Sequence, residues 1–428
     1  YEILAGIAEI DAGLTITITR ADDIDAVLIL QEDRGHLAPA QLRKRSNCAF
    51  IMEHRAMRKS TTLSAAITLA LAGTTALAGN IATVNQTGVG NFGAVTQSGA
   101  VEPMTATIDT VGAYNHAYVD QYASDLAEAT IDQDNSTFSG ASVYQNYSYD
   151  STATVEQVDT YASQAHIGQY ASVGSDATIG QDGDAYSSAS VNQSLSDGSV
   201  AEIDQVDTYA SSAHVNQNYA DASYADVNQE GAVSSLANTY QTGYADSAYV
   251  NQLYTVGSGA VITQNGTYNN AGVTQYFADY SQAAIDQLGY GNSAHTSQFD
   301  SDASVATTAQ VGEYNYAGIS QAYGELNDAD IYQEGYANTA YIDQYGSNNE
   351  ADIDQYGAYN YAHIYQSGEY NIAATYQDGV SNVATVAQYG VGSLGNENQA
   401  YVNQYNSGHL AHVTQAGGGG NYATVVQY

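Results

Sequence analysis

The chain has 428 residues, with 46 Asp and Glu against 8 Lys and Arg, a formal net charge of −38, 39 Tyr, 40 Gly, 2 Pro and no Trp. All Lys and Arg lie at or before Lys59, so everything after it carries one sign of charge, which repels phosphate backbones and anionic lipid and argues against a nucleic-acid partner. The single cysteine, Cys48, also lies early, leaving the rest without a disulfide, a thiolate nucleophile or a sulfur metal ligand, and no run of about 18 apolar residues predicts a membrane span.

Residues 1–56 share no pattern with the rest of the chain. They contain Leu14-Thr15-Ile16-Thr17-Ile18-Thr19 and Arg43-Lys44-Arg45, and no Met precedes Met52. Residues 57–78 have the three parts of a secretory signal peptide: a basic start (Arg58, Lys59), an apolar stretch from Leu63 to Ala72, and small residues at Ala76 and Ala78, with cleavage expected after Ala78. A short buried helix is the competing reading, against which the flanks speak. Because a signal peptide acts from the N-terminus, translation is expected to begin at Met57, with residues 1–56 upstream reading frame or, alternatively, a pro-segment. N-terminal sequencing of the natural protein separates the two.

From residue 79 to 428 the chain repeats. Anchored on Gln, the period gives thirty slots from Gln86 to Gln427, Thr110 filling the one place without Gln. Four residues before each slot stands Ala, except at Gly93. Two before stands Val or Ile, or Thr at 239, 296, 308 and 375, and six before stands mostly Asn or Ser. The unit N/S-x-A-x-V/I-x-Q, often followed by x-G, fixes every second letter, which is one face of an extended strand, whereas a helix fixes intervals of three and four. Val and Ile favour the pleated state and Gly marks the turn.

The slots are 12 apart from Gln121 to Gln241, mostly alternate 11 and 12 to Gln333, and are 11 apart to Gln388. Seven residues of motif leave four or five for each connection, too few for crossover helices. The predicted fold is all-β: a two-sheet β-solenoid of about 15 stacked strand-turn-strand coils, roughly 70 Å long at ~4.8 Å per coil. In each coil Asn or Ser faces the other strand's Gln, and Ala faces Val or Ile. Up the stack the amides are expected to form ladders through Gln133, Gln157, Gln181, Gln205, Gln229, Gln252, Gln275, Gln344, Gln355, Gln366 and Gln377, and through Asn338, Asn349, Asn360 and Asn371. The atypical stretch with Pro103 and Met104 reads as a cap, and GVGSLGNEN before Gln404 as an enlarged arc.

Behind a signal peptide, thirty tandem units of this form resemble the curlin repeat of curli subunits, the bacterial functional amyloids of biofilm matrix. The resemblance implies export to the periplasm, passage unfolded through a dedicated outer-membrane pore, and assembly outside the cell on a minor nucleating subunit. Familiar curli subunits have about five two-strand repeats against about fifteen here. They also carry a pore-targeting segment before the first repeat, a place where this chain already has Asn80-Ile81-Ala82-Thr83-Val84-Asn85-Gln86. The stretch from Ala100 to Thr110 is a candidate for that element.

An open stack leaves two edges with unpaired backbone groups. The terminal strands, with Ile81, Val84 and Gln86 at one end and Ala423, Val425 and Gln427 at the other, keep the full motif without Lys or Pro, which reads as selection for head-to-tail self-addition. Outward carboxylates fall in register, Asp132 with Glu156 and Asp330 with Asp352; a solvated acidic face is favoured over Ca²⁺ bridging. His166, His214, His295, His363 and His412 share one outward position without a His neighbour, which favours surface residues over a zinc site. Tyrosine is frequent just after Gln and on outward positions, where β-propensity and contact between fibrils are both open readings.

Ser, His and Asp form no grouping apart from the repeat, so no catalytic residue, metal or cofactor is expected. Solenoid lyases use basic catalytic side chains that this region lacks, and an ice-binding rod wants a flat outward T-x-T array. The expected function is a secreted structural subunit of extracellular, curli-like adhesive fibres at the cell surface. The alternative is a monomeric acidic β-solenoid adhesin.

Overall fold

The computed structural model describes Asn80–Tyr428 in full. Before that it describes only the backbone of the strands Glu9–Ile10, Leu14–Arg20, Ala26–Glu32 and Ile67–Ala72. The first three form a small antiparallel sheet in a separate unit, Tyr1–Ser46. The expected divisions at 56 and 78 lie outside the described residues.

Strand follows strand from Ile81 to Gln427, alternating between two sheets. The first sheet has 15 strands, from Ile81–Val89 to Leu410–Gly418. The second runs from Phe92–Ser98 to Tyr422–Gln427 and carries Ile67–Ala72 beyond Phe92–Ser98 as a sixteenth strand. Within each sheet all pairs are parallel, and each strand pairs with the one two places along the chain, so two strands and two arcs complete a coil. Register is identity on identity: Ala351 pairs with Ala329 and Ala373, and Gln355 with Gln333 and Gln377.

The alternation of the motif explains the burial. Glu350–Ala358 buries Ala351, Ile353 and Gln355 while Glu350 and Asp352 face water. Ala and Val or Ile of both sheets merge into one apolar core from Val95 to Val413. Small side chains in one column alternate with branched ones in the next, which suits the narrow space between the sheets.

The arcs come in two forms, of which one keeps the expected length and the other is shorter. Most twelve-residue steps have seven-residue strands, such as Thr152–Val158 and Gln164–Tyr170, joined by five residues. Most eleven-residue steps have longer strands, such as Glu350–Ala358, which leaves only Tyr359 and Asn360 before Tyr361–Glu369. The corner of that coil is therefore shorter than the four or five residues that the motif spacing suggests. The Gly two after Gln makes the difference: at Gly357 φ is 105°, which lets the ladder continue through Gly335, Gly357 and Gly379 before the chain turns. A Cβ on Gly357 would sit 2.1 Å from the carbonyl oxygen of Gly379. The longer arcs use two ordinary left-handed residues instead, such as Asp159 (φ 52°) and Ala162 (φ 53°).

Candidate functional site

The chemistry of this molecule is concentrated in its amide columns and at its open edges. In the first sheet Gln133, Gln157, Gln181, Gln205, Gln229, Gln252 and Gln275 form one run of buried amides. Each Nε2 donates to the next Oε1, at 2.7 Å for Gln133 to Gln157 and 2.8 Å for Gln205 to Gln229. The run continues through Gln344, Gln366 and Gln388. Gln355 and Gln377 belong to the second sheet's column, unbroken from Gln97 to Gln427.

Most of these Gln also reach across the core, but not to the Asn or Ser side chain. The Nε2 donates to the backbone carbonyl just after that residue, as Gln366 does to Glu350 at 2.7 Å and Gln344 to Asp328 at 2.8 Å. At these positions both amide hydrogens are used, one tying coil to coil and one tying sheet to sheet. The Asn column serves the arcs. Asn338 Nδ2 donates to Asn315 Oδ1 and to the Gly357 carbonyl, while its Oδ1 accepts the backbone N–H of Asn360. Asn349 and Asn371 repeat this in the other sheet, Asn371 Nδ2 donating to Asn349 Oδ1 at 2.9 Å. Asn therefore accompanies the Gly arcs because it can bind the glycine carbonyl of the next coil.

A second small polar column was missed in the sequence. Three after Gln in the 12-residue steps stand Ser124, Ser136, Ser148, Thr160, Ser172 and Asp184, all buried. Ser148 Oγ donates to the Gln169 carbonyl of the next coil. The signal was a period-12 run of Ser and Thr, hidden because it falls off the alternating pattern.

The irregularities are local. At Thr110 the first column breaks, and the amide atoms of Gln86, the hydroxyl of Thr110 and Oε1 of Gln133 are all buried without partners. The hydroxyls of Thr239, Thr296, Thr308 and Thr375, in Val or Ile places, are equally unpartnered. Asp184 and Asp246 occupy small-polar places. Burial raises Asp184 to about 7 against the N–H and hydroxyl of Thr208, and raises Asp246 to about 6 against Asn269; each keeps one unpartnered oxygen.

On the outside, Asp132 pairs in register with Asp109 and Glu156; desolvation and then those two carboxylates raise its pKa. Asp352 lies beside Asp330 and reaches water. The protein packed around it, then Asp354, Asp330, Glu350 and Asp328, raise it to about 6. Among the described residues no three His, Cys, Asp or Glu are placed to hold a metal ion. The five outward histidines sit in register with non-histidine neighbours, His363 bonding to Asp343 at 3.0 Å.

At the edges, Ile81 is exposed, Ala82 and Val84 are partly buried against the core, and Ile81–Val89 is hydrogen-bonded on one side only. At the far end Ala423 and Val425 are likewise partly buried, and Gln427 accepts from Gln404 at 2.7 Å. Because every ladder bond runs from the earlier Gln to the later, the far end presents amide donors, from Gln415 and Gln427. The near end of the second sheet presents the oxygen of Gln97.

Residues 324–357 and, overlapping them, 346–374 match the family model described as the curlin associated repeat. A comparison with curated proteins finds no match. The matched residues include the strands Asp328–Tyr336, Thr339–Tyr345, Glu350–Ala358 and Tyr361–Glu369, whose motif and register recur along the whole solenoid. Residues 324–374 thus carry the curlin associated repeat.

Proposed function

We propose that the chain is an exported structural subunit that polymerises head to tail into extracellular, curli-like fibres of a biofilm matrix, supporting adhesion and aggregation. The observation that carries this reading is the match between the two ends. The first strand after the leader, Ile81–Val89, belongs to the same sheet as Leu410–Gly418, and the second, Phe92–Ser98, to the same sheet as Tyr422–Gln427. A second copy therefore continues both sheets in phase, its Gln97 oxygen meeting the free donor of Gln427. Each joint adds backbone hydrogen bonds in both sheets and extends the amide columns. Residues 57–78 serve as the secretory leader, and a minor nucleating subunit and an outer-membrane pore complete the pathway.

One observation favours a second reading, the monomeric adhesin. Ile67–Ala72 pairs in parallel with Phe92–Ser98 and so covers one of the two near edges, with Leu71 in register with Gln97. On the polymer reading, removal of the leader opens that edge. Purified residues 79–428 are then expected to form fibres with cross-β diffraction and to be seeded by their own fragments, while residues 57–428 grow slowly. Residues 79–428 remaining monomeric at high concentration and in salt would leave the adhesin reading in place.

A further inference from the structure

The arcs carry aromatics where the backbone disfavours them. Tyr268, Tyr314 and Tyr359 have φ of 57°, 56° and 55°, a region in which a bulky side chain is an outlier and Gly or Asn is natural. Strand propensity does not explain tyrosine at a corner, and such strain persists where something else selects the residue. What these corners share is a column. Tyr244, Tyr268, Tyr290, Tyr314, Tyr336 and Tyr359 follow one another along one edge of the solenoid at ring-centroid distances of 5.5, 5.6, 5.2, 5.7 and 5.3 Å. Their planes cross at 73° to 87°, so each ring's edge meets the next ring's face, and every one is exposed. Platforms that stack on sugars need open ring faces; here the neighbouring ring takes them.

Among the described residues no Trp, no Cys and no exposed Met competes for an oxidant. The chain has no Trp, its single cysteine is Cys48, and Met104, the one methionine after residue 79, is fully buried. A one-electron oxidant therefore meets phenols first.

We propose that this column is an oxidative cross-linking site, at which a haem peroxidase using hydrogen peroxide joins tyrosines of successive coils as dityrosine. Each of two phenols gives up one electron and its hydroxyl proton. The two phenoxyl radicals couple at ring carbons ortho to oxygen, and the two displaced ring hydrogens move to the oxygens to restore both phenols. The two electrons and two protons reduce one hydrogen peroxide to two waters. The new carbon–carbon bond ties one coil to the next in a rod that has no disulfide.

The test is to treat the dilute, folded full chain with a haem peroxidase and hydrogen peroxide, digest it at acidic residues, and map linked peptides by mass spectrometry. The expected products are intramolecular links such as Tyr290 to Tyr314, each lighter by two hydrogens. Tyr314→Phe, and separately Tyr314→Asn, which suits the left-handed corner, should abolish links through that position and leave Tyr244 to Tyr268 unchanged. Tyr219 and Tyr280 are the internal controls: they are 61% and 64% exposed but have no ring neighbour among the described residues. Coupling through them as often as through the column, the same link pattern from urea-unfolded chain, or no coupling would each overturn the proposal.

Discussion

At the scale of single residues, stability rests on keeping every buried amide partnered, since each orphaned group costs about 1 to 3 kcal/mol. Gln229 accepts from Gln205 and donates to Gln252, so Gln229→Leu orphans a donor on one side and an acceptor on the other. It should lower unfolding free energy by roughly 2 to 5 kcal/mol. Thr110→Gln should do the opposite, because the break at Thr110 leaves Gln86 and Gln133 with unused groups. Urea melts of both variants beside the parent check the pair, and an unchanged midpoint for Gln229→Leu would rule out a stabilising ladder. Asp184 sets the pH dependence. Its folded pKa, about 7 through burial, lies above the unfolded value near 3.9, so between those limits the folded state holds more protons. Stability must therefore fall as pH rises from about 4 to about 7, and Asp246, at about 6, acts in the same sense. The usual loss of stability in acid comes from carboxylates paired with Lys or Arg, and this rod has neither. Melting temperatures should drop from pH 4.5 to 7.5 in the parent, and Asp184→Ser, which restores the residue type of its column, should flatten that drop.

At the scale of the coil, the strand and its inward letters were legible because alternation is a backbone property that the sequence prints directly. Ala351, Ile353 and Gln355 are buried together for that reason. The arcs were only half legible. Glycine two after Gln announced a turn, but its consequence, that the ladder runs on through Gly357 to Ala358, depends on a φ that no composition rule supplies. The Ser and Thr column of the longer arcs was invisible for a related reason: two left-handed residues per arc shift the inward position off the alternating frame. Pairing of Gln with the backbone rather than with Asn was hidden because carbonyls have no letter. The two arc types predict different tolerance to a methyl group. Gly357→Ala places Cβ 2.1 Å from the Gly379 carbonyl oxygen, a backbone atom held by the next coil, and should cost several kcal/mol or shift the arc. Gly183, in the five-residue arc of a 12-residue step at φ 67°, closely meets only the movable Asp207 carboxylate, and Gly183→Ala should cost about 1 kcal/mol. Equal destabilisation of the two would mean that the arcs do not differ in this way.

At the scale of the whole molecule, two opposed features would govern the proposed head-to-tail association. Net charge of −38 makes approaching copies repel, and screening over about 8 Å at physiological salt weakens that repulsion, so growth should be faster in salt than in water. The ends supply the attraction, and their usefulness depends on phase rather than on the particular sequence of the last strand. Removing residues 419–428 deletes Tyr422–Gln427 and leaves Leu410–Gly418, a first-sheet strand, as the last; an incoming Ile81–Val89 then has to follow a strand of its own sheet, half a coil out of step. Removing residues 409–428 deletes a whole coil and leaves Asn398–Ser407, a second-sheet strand like the one lost. The shorter deletion should therefore slow fibre elongation, and the longer one should recover it, although it removes more of the protein. Seeded growth of the three chains, each beginning at residue 79 and followed by light scattering at fixed salt, reads this directly. If elongation declined steadily with the number of residues removed, the joint would depend on the terminal sequence and not on the alternation of the two sheets.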